Sequence, residues 1–191
     1  HPTPDETATF EITTLRRDVS TDGRRATVAF SSDWEEDARR RDFTINAIYA
    51  EPDGEIRDVI GGMKDIAARR VRFIGDPAQR IAEDYLRILR LFRFHAWYGT
   101  GDIDGEGLRA CAAARGQIKT LSGERIQKEM LRLLAATGVE PVLRTMAASG
   151  VLGEVLPGAL QFDRLQQLYD TDLEFFFDGD GLLRLGALLS D

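Results

Sequence analysis

The sequence predicts an α+β fold, a small strand-bearing piece followed by an all-helical one, and three observations carry that reading. β-Rich, alternating apolar runs are confined to the first third of the 191 residues. From Gly61 onward apolar residues recur at spacings of three and four, the signature of buried helix faces. A composition of 43% hydrophobic and 30% charged residues supports a packed core and excludes disorder, collagen and a coiled-coil rod.

After an aperiodic, proline-bearing start at residues 1–9, Phe10–Leu15 alternates as a half-buried strand does. Residues 17–33 are mostly polar around the short apolar run Thr27–Phe30, which predicts an exposed loop with one short strand. Asp33 is a good N-cap for a surface helix over Trp34–Arg40, with acids in its first turn and bases in its last. Thr44–Ala50 and Glu55–Val59 flank Glu51-Pro52-Asp53-Gly54, a turn sequence that predicts a β-hairpin. Gly62–Ala68 reads as a short helix and Val71–Ile74 as a strand. Asp76-Pro77 then opens a helix over about 77–98, with Ile81, Tyr85, Ile88, Leu89 and Phe92 on its apolar stripe. Further helices are predicted over 105–116, 122–136, 139–149, 161–169 and 181–190, the second starting at Ser122 in a partial capping box.

With 32 acidic against 25 basic residues the net charge is −7, so a polybasic protein that coats nucleic acid is excluded. Any nucleic-acid partner must meet a local patch. The lone Cys111 excludes an intramolecular disulfide, and two histidines with one cysteine cannot make a Cys/His zinc site, which leaves the cytoplasm as the default compartment. No apolar stretch approaches the ~20 residues that span a bilayer, and no secretory leader is recognisable.

Two clusters offer chemistry. Arg80, Asp84 and Arg87 sit at i, i+4 and i+7 and would share one face of the predicted helix. Asp84 would accept from an exocyclic amino group while Arg87 donates, so the pair suits a base edge. The plainer alternative is a solvated i, i+3 salt bridge, which spacing alone favours. Arg39-Arg40-Arg41-Asp42 through Asn46 sets guanidinium forks suited to phosphates beside an acceptor for a ribose hydroxyl. Compensation of a helix dipole by terminal bases explains that run equally well. Between residues 64 and 93 eight bases face four acids, a local excess where an anion should land.

Four ordered blocks between residues 10 and 94 resemble the class II tRNA nucleotidyltransferase and bacterial poly(A) polymerase family. They are Phe10–Arg16, Arg40–Ala47, Asp58–Asp65, and Phe73–Pro77 with Arg80–Arg87. The resemblance implies a partial nucleotidyltransferase head over 1–62, with a short mixed sheet and helices, then a helical neck over 63–120 and a truncated helical body over 121–191. It implies template-independent addition of CCA to the tRNA 3′ end from CTP and ATP, dependent on Mg²⁺. Arg41 would contact triphosphate and Asp42 would select ribose, with Asn46 in the same block. Glu83–Arg87 matches the element in which Asp84 and Arg87 pair with cytosine or adenine; Arg80 and Arg90 are lesser phosphate candidates. Gly61-Gly62 matches a flexible joint. Glu11 matches an acid near the catalytic carboxylates.

The family's metal-binding Asp-x-Asp pair does not appear before Glu11, so no metal ligand is assigned here and the chain reads as a fragment with that motif expected upstream. Two alternatives stand beside CCA addition. One is a bacterial poly(A) polymerase, and the other a non-catalytic nucleotide- or RNA-binding module of the same fold.

Overall fold

The computed structural model describes residues 14–22, 25–156, 158, 160–175 and 179–189. Glu11 and most of the first predicted strand lie outside these residues. β1 (Arg16–Asp22) pairs antiparallel with β2 (Arg25–Phe30), Arg16 opposite Phe30 and Asp22 opposite Arg25. The stretch expected to be an exposed loop with one short strand at Thr27–Phe30 holds that strand as β2, and its preceding residues form a second strand paired with it.

Asp33 caps α1 (Trp34–Arg39) as expected, its Oδ1 accepting from the Glu35 N–H at 2.8 Å. The second hairpin also forms, β3 (Ile48–Ala50) against β4 (Ile56–Asp58). Its predicted front end is instead a 3-10 turn over Thr44–Asn46, because the Thr44 N–H bonds the Arg72 carbonyl and the Thr44 hydroxyl bonds Asp65 at 2.6 Å. Val71–Ile74 makes only one isolated bridge, Phe73 to Phe43.

α2 (Gly62–Ala67) begins at the glycine pair expected to act as a joint. Gly61 is left-handed at φ 87°, which favours glycine. Gly62 is buried so closely that a Cβ would overlap the Thr44 carbonyl oxygen. The Asp58 carboxylate accepts from the N–H groups of Gly61, Gly62 and Met63 at 2.8–2.9 Å. Partial burial pushes its pKa up, but these backbone donors outweigh that and hold it below the usual carboxylate value. The joint is pinned, and Gly62 serves close packing.

The helix expected over 77–98 is two helices, α3 (Pro77–Glu83) and α4 (Leu86–Tyr98). Asp76 caps α3 through the Gln79 N–H at 2.7 Å. At the break Asp84 is extended (φ −155°, ψ 107°), and its Oδ1 accepts from the Leu86 N–H, capping α4. The side chain competes with the helix for backbone donors, and a continuous apolar period cannot reveal that. Then follow α5 (Gly105–Ala114), capped by Asp104, a 3-10 stretch over Arg115–Thr120, α6 (Gly123–Leu134), α7 (Val139–Ala148), α8 (Val151–Val155), α9 (Phe162–Phe175) and α10 (Gly181–Leu189). Ser122 makes no side-chain cap bond, and α8 was not expected.

One apolar core runs from Phe43 and Phe73 through Ile88, Leu89 and Phe92 of α4 to Leu133, Leu143 and Leu188. α4 packs against α5, α6 and α7 and so sits at its centre. Buried Arg184 of α10 pairs with Asp172 at 2.9 Å and donates to the carbonyls of Leu134 and Ala136, which ends the bundle without a stranded charge. Among the described residues no helix is long and apolar enough to cross a membrane.

Candidate nucleotide-binding cleft

The segment after α1, the α3–α4 break and the start of α6 meet around a cleft of about 550 Å³. Arg41, Asp42, Asn46, Asp84, Arg87 and Arg90 all line it. Arg80, expected with them, does not; it donates to the Arg39 carbonyl at 2.8 Å and pairs with Glu83 at 2.5 Å, lining a different hollow. The helix break rotates it away from Asp84.

On the α1 side, the buried carboxylate of Asp37 organises the rim. It accepts from Arg40 at 2.8 Å, from Arg41 Nε and Nη2 at 3.1 and 2.9 Å, and from the Tyr49 hydroxyl at 2.9 Å. Burial pulls the Arg41 pKa down, but Asp37 outweighs it and the guanidinium is held above its ordinary value. Burial and Asp37 together push the Tyr49 phenol up to about 12. Arg40 and Arg41 are thus tied to an acid inside the fold, which answers their charge more directly than the helix dipole does, while Arg39 pairs with Glu35 at the surface at 2.5 Å. Arg41 also donates to the Asn46 carbonyl at 3.1 Å, leaving two of its five N–H groups for a ligand among the described residues.

Asp42 is almost wholly buried, and both its oxygens are engaged. Oδ1 accepts from the Phe43 N–H and from Asn46 Nδ2, each at 2.9 Å, and Oδ2 takes Arg90 Nε at 2.6 Å and Nη2 at 2.5 Å. Its visible work is to orient Asn46 and Arg90. Arg90 lies 5.1 Å from the Phe94 ring centre and 4.0 Å from Glu129 of α6, whose other oxygen takes Arg93 at 2.6 Å.

Asp84 and Arg87 face the same cleft from two sides of the break. The anticipated salt bridge between them is not what holds them. Asp84 Oδ2 takes Arg125 of α6 at 2.8 Å. Arg87 Nη1 donates to the Arg80 carbonyl at 2.7 Å and Glu83 at 2.5 Å, and Nη2 to the Arg40 carbonyl at 3.2 Å. Among the described residues this leaves Nε–H and one Nη2–H as donors. Each Asp84 oxygen keeps a second lone pair.

Arg40, from the run expected to meet phosphates, also lines the cleft, while Phe94 and Arg125 were not expected there. No local signal marks Arg125, which lies 41 residues from its partner Asp84. The cleft carries five arginines against two aspartates in a chain of net charge −7, so anions are drawn there. Asp42 and Asp84 are both neutralised by arginine, and no cluster of three metal-ligating side chains occurs among the described residues. These residues do not fit Mg²⁺.

The architecture and the arginine-rich cleft place the chain in a class. The family described as Poly A polymerase head domain matches residues 3–72, and that described as probable RNA and SrmB-binding site of polymerase A matches residues 102–162. The chain belongs to the tRNA nucleotidyltransferase and poly(A) polymerase family. Its similarity is to CCA-adding members. It is 46% identical over 147 residues to the mitochondrial CCA tRNA nucleotidyltransferase 1 of Mus musculus, covering 74% of this chain and 33% of that protein. It is 39% identical over 172 residues to the CCA-adding enzyme of Streptococcus gordonii, covering 88% and 42%. The Bacillus stearothermophilus CCA-adding enzyme in complex with CTP superposes with a TM-score of 0.70 at 30% identity, covering 82% of this chain and 38% of that one. The chain spans between a third and about two-fifths of these relatives' length.

Proposed function

We propose that this chain is the nucleotide-selecting part of an enzyme that adds CCA to the 3′ end of tRNA from CTP and ATP. The observation that carries the reading is the immobilised Arg87. Glu83 and two carbonyls fix its guanidinium and leave it two N–H donors in the cleft that Asp84 also lines. Cytosine presents an amino donor beside N3 and O2, and adenine an amino donor beside N1. One Asp/Arg pair therefore serves both, whereas uracil and guanine set a carbonyl against Asp84. Arg41 and Arg90 supply positive charge for the triphosphate, and Asn46, oriented by Asp42, offers the sugar a polar contact.

In this reading residues 1–62 are an incomplete head, 63–120 the neck and 121–191 the body. Mg²⁺ would neutralise the phosphates in transfer, and its ligands belong to residues other than those described. Relatives are known as mitochondrial proteins as well as bacterial ones, and the reduced, buried Cys111 suits a reducing compartment such as the cytoplasm. The test is a product assay with the complete protein on tRNA lacking its 3′ end. Addition of three nucleotides followed by arrest supports the reading. A long A tract identifies a poly(A) polymerase, and no incorporation a binding module.

A further inference from the structure

A second groove, of about 430 Å³, opens between α2 and the C-terminal end of α4. Its walls include Ile45, Ile66, Phe94, Trp97 and Tyr98. Trp97 and Tyr98 are 45% and 52% exposed, unusual for adjacent large aromatics on a helix otherwise sunk in the core. The Phe94 and Tyr98 rings lie one turn apart with centroids 5.7 Å from each other. Trp97 is held by its indole N–H, which donates to the Arg132 carbonyl at 2.7 Å. These are presented faces, fixed in place.

Charge and continuity say what covers them. Asp65 is the sole carboxylate lining the groove and is matched by Arg70 and Arg72, each at 2.7 Å. Exposed Arg69 on the same wall has no side-chain partner among the described residues. The groove therefore combines π-faces with net positive charge, the arrangement that binds single-stranded nucleic acid. Phe94 and Asn46 line both this groove and the arginine-rich cleft, so one leads into the other.

We propose that this groove holds the unpaired 3′ end of the RNA acceptor, its last bases stacked on Trp97 and Tyr98 and its backbone beside Arg69. The proposal rests on the reading of the neighbouring cleft as the nucleotide site. An acceptor whose terminal base changes at every addition needs recognition indifferent to base identity, and stacking provides it because every base has a π-face.

The test measures binding of a labelled hairpin RNA with an unpaired 3′ tail, against the blunt hairpin, by anisotropy with the complete protein and no nucleotide. Tyr98→Ala and Trp97→Ala should weaken binding of the tailed RNA about 5- to 150-fold, the range for a lost base–aromatic stack. The acceptor KM should rise in step while the CTP KM stays put. Tyr98→Phe, which keeps the ring, should bind as wild type does. Arg69→Gln, on the exposed rim, should weaken tailed RNA and flatten the salt dependence. Unchanged affinity in both alanine variants overturns the proposal, as does an equal loss for blunt RNA or an effect confined to the CTP KM. Failure of the function reading shows separately, as a wild-type protein that takes up neither CTP nor ATP.

Discussion

Asp84→Asn separates base reading from scaffolding at the cleft. The Leu86 N–H requires an acceptor at the Oδ1 position, so the amide oxygen stays there and the new NH₂ takes the place of Oδ2, toward Arg125 and the base. The variant keeps the cap on α4. It loses an ion pair whose partners are 36% and 31% exposed, a kind of contact that contributes about 1 kcal/mol or less. For a chain of this size that corresponds to a fall in melting temperature of no more than ~4 °C. The effect on selection is larger, because a charge-assisted hydrogen bond to the amino group of cytosine or adenine contributes about 1.5–3 kcal/mol. Its loss lowers kcat/KM for CTP and ATP roughly 10- to 200-fold. UTP and GTP, whose carbonyls now meet a donor, should hold or gain. Single-nucleotide incorporation by the complete enzyme, with all four nucleotides, reads the outcome. Unchanged CTP and ATP preference, or an equal fall for all four, refutes the assignment and leaves Asp84 as a helix cap alone.

Asp42→Ala removes the acceptor shared by Arg90, Asn46 and the Phe43 N–H, and should cost about 1.5–3 kcal/mol in a denaturant titration while raising the nucleotide KM. Changed discrimination between ribo- and deoxyribonucleotides without loss of stability would instead assign it directly to the sugar. Gly62→Ala forces a Cβ into the Thr44 carbonyl and should destabilise by at least about 1–3 kcal/mol; a wild-type melting temperature would show that the joint is loose. His95 is buried and held below its ordinary pKa by burial, despite its contact with the Gly101 carbonyl. The unfolded chain thus takes up the proton first as pH falls below about 6.5, and stability should decline from there downward. His95→Gln should remove that dependence in pH-resolved melting curves, leaving the lower-pH loss as Asp58 and Asp65, both held below the usual carboxylate value, become protonated.

Much of this organisation was legible in the residues because local chemistry set it. Asp33 and Asp76 announced helix starts by side-chain capping, and Glu51-Pro52-Asp53-Gly54 announced the second hairpin. The apolar stripe of 77–98 was also correct in its inward residues, yet silent about the break. Asp84 spends its carboxylate on the Leu86 N–H, a competition that periodicity does not record. The α3–α4 break also explains why Arg80 leaves the cleft although its spacing placed it with Arg87. Six expected cleft residues meet because Arg40–Asn46 and Glu83–Arg90 are each local, and the Asp42–Arg90 pair joins them. Arg125 and Glu129 escaped notice because their partners lie 41 and 36 residues away, a distance only the packed fold resolves.

α6 touches α4 and the break before it at three points in one stripe. Arg125 meets Asp84, Glu129 meets Arg93, and the Arg132 carbonyl receives the Trp97 indole. The spacings of four and three residues follow one face of a helix for two turns, so a single rigid rod indexes Asp84, the arginine layer and the aromatic shelf against one another. A protein trimmed after α5 would keep every cleft residue expected from sequence and still lose the ruler that sets their spacing. The smallest piece worth expressing for nucleotide binding therefore extends at least through Leu134, and a recombinant exchange between relatives should be joined beyond α6.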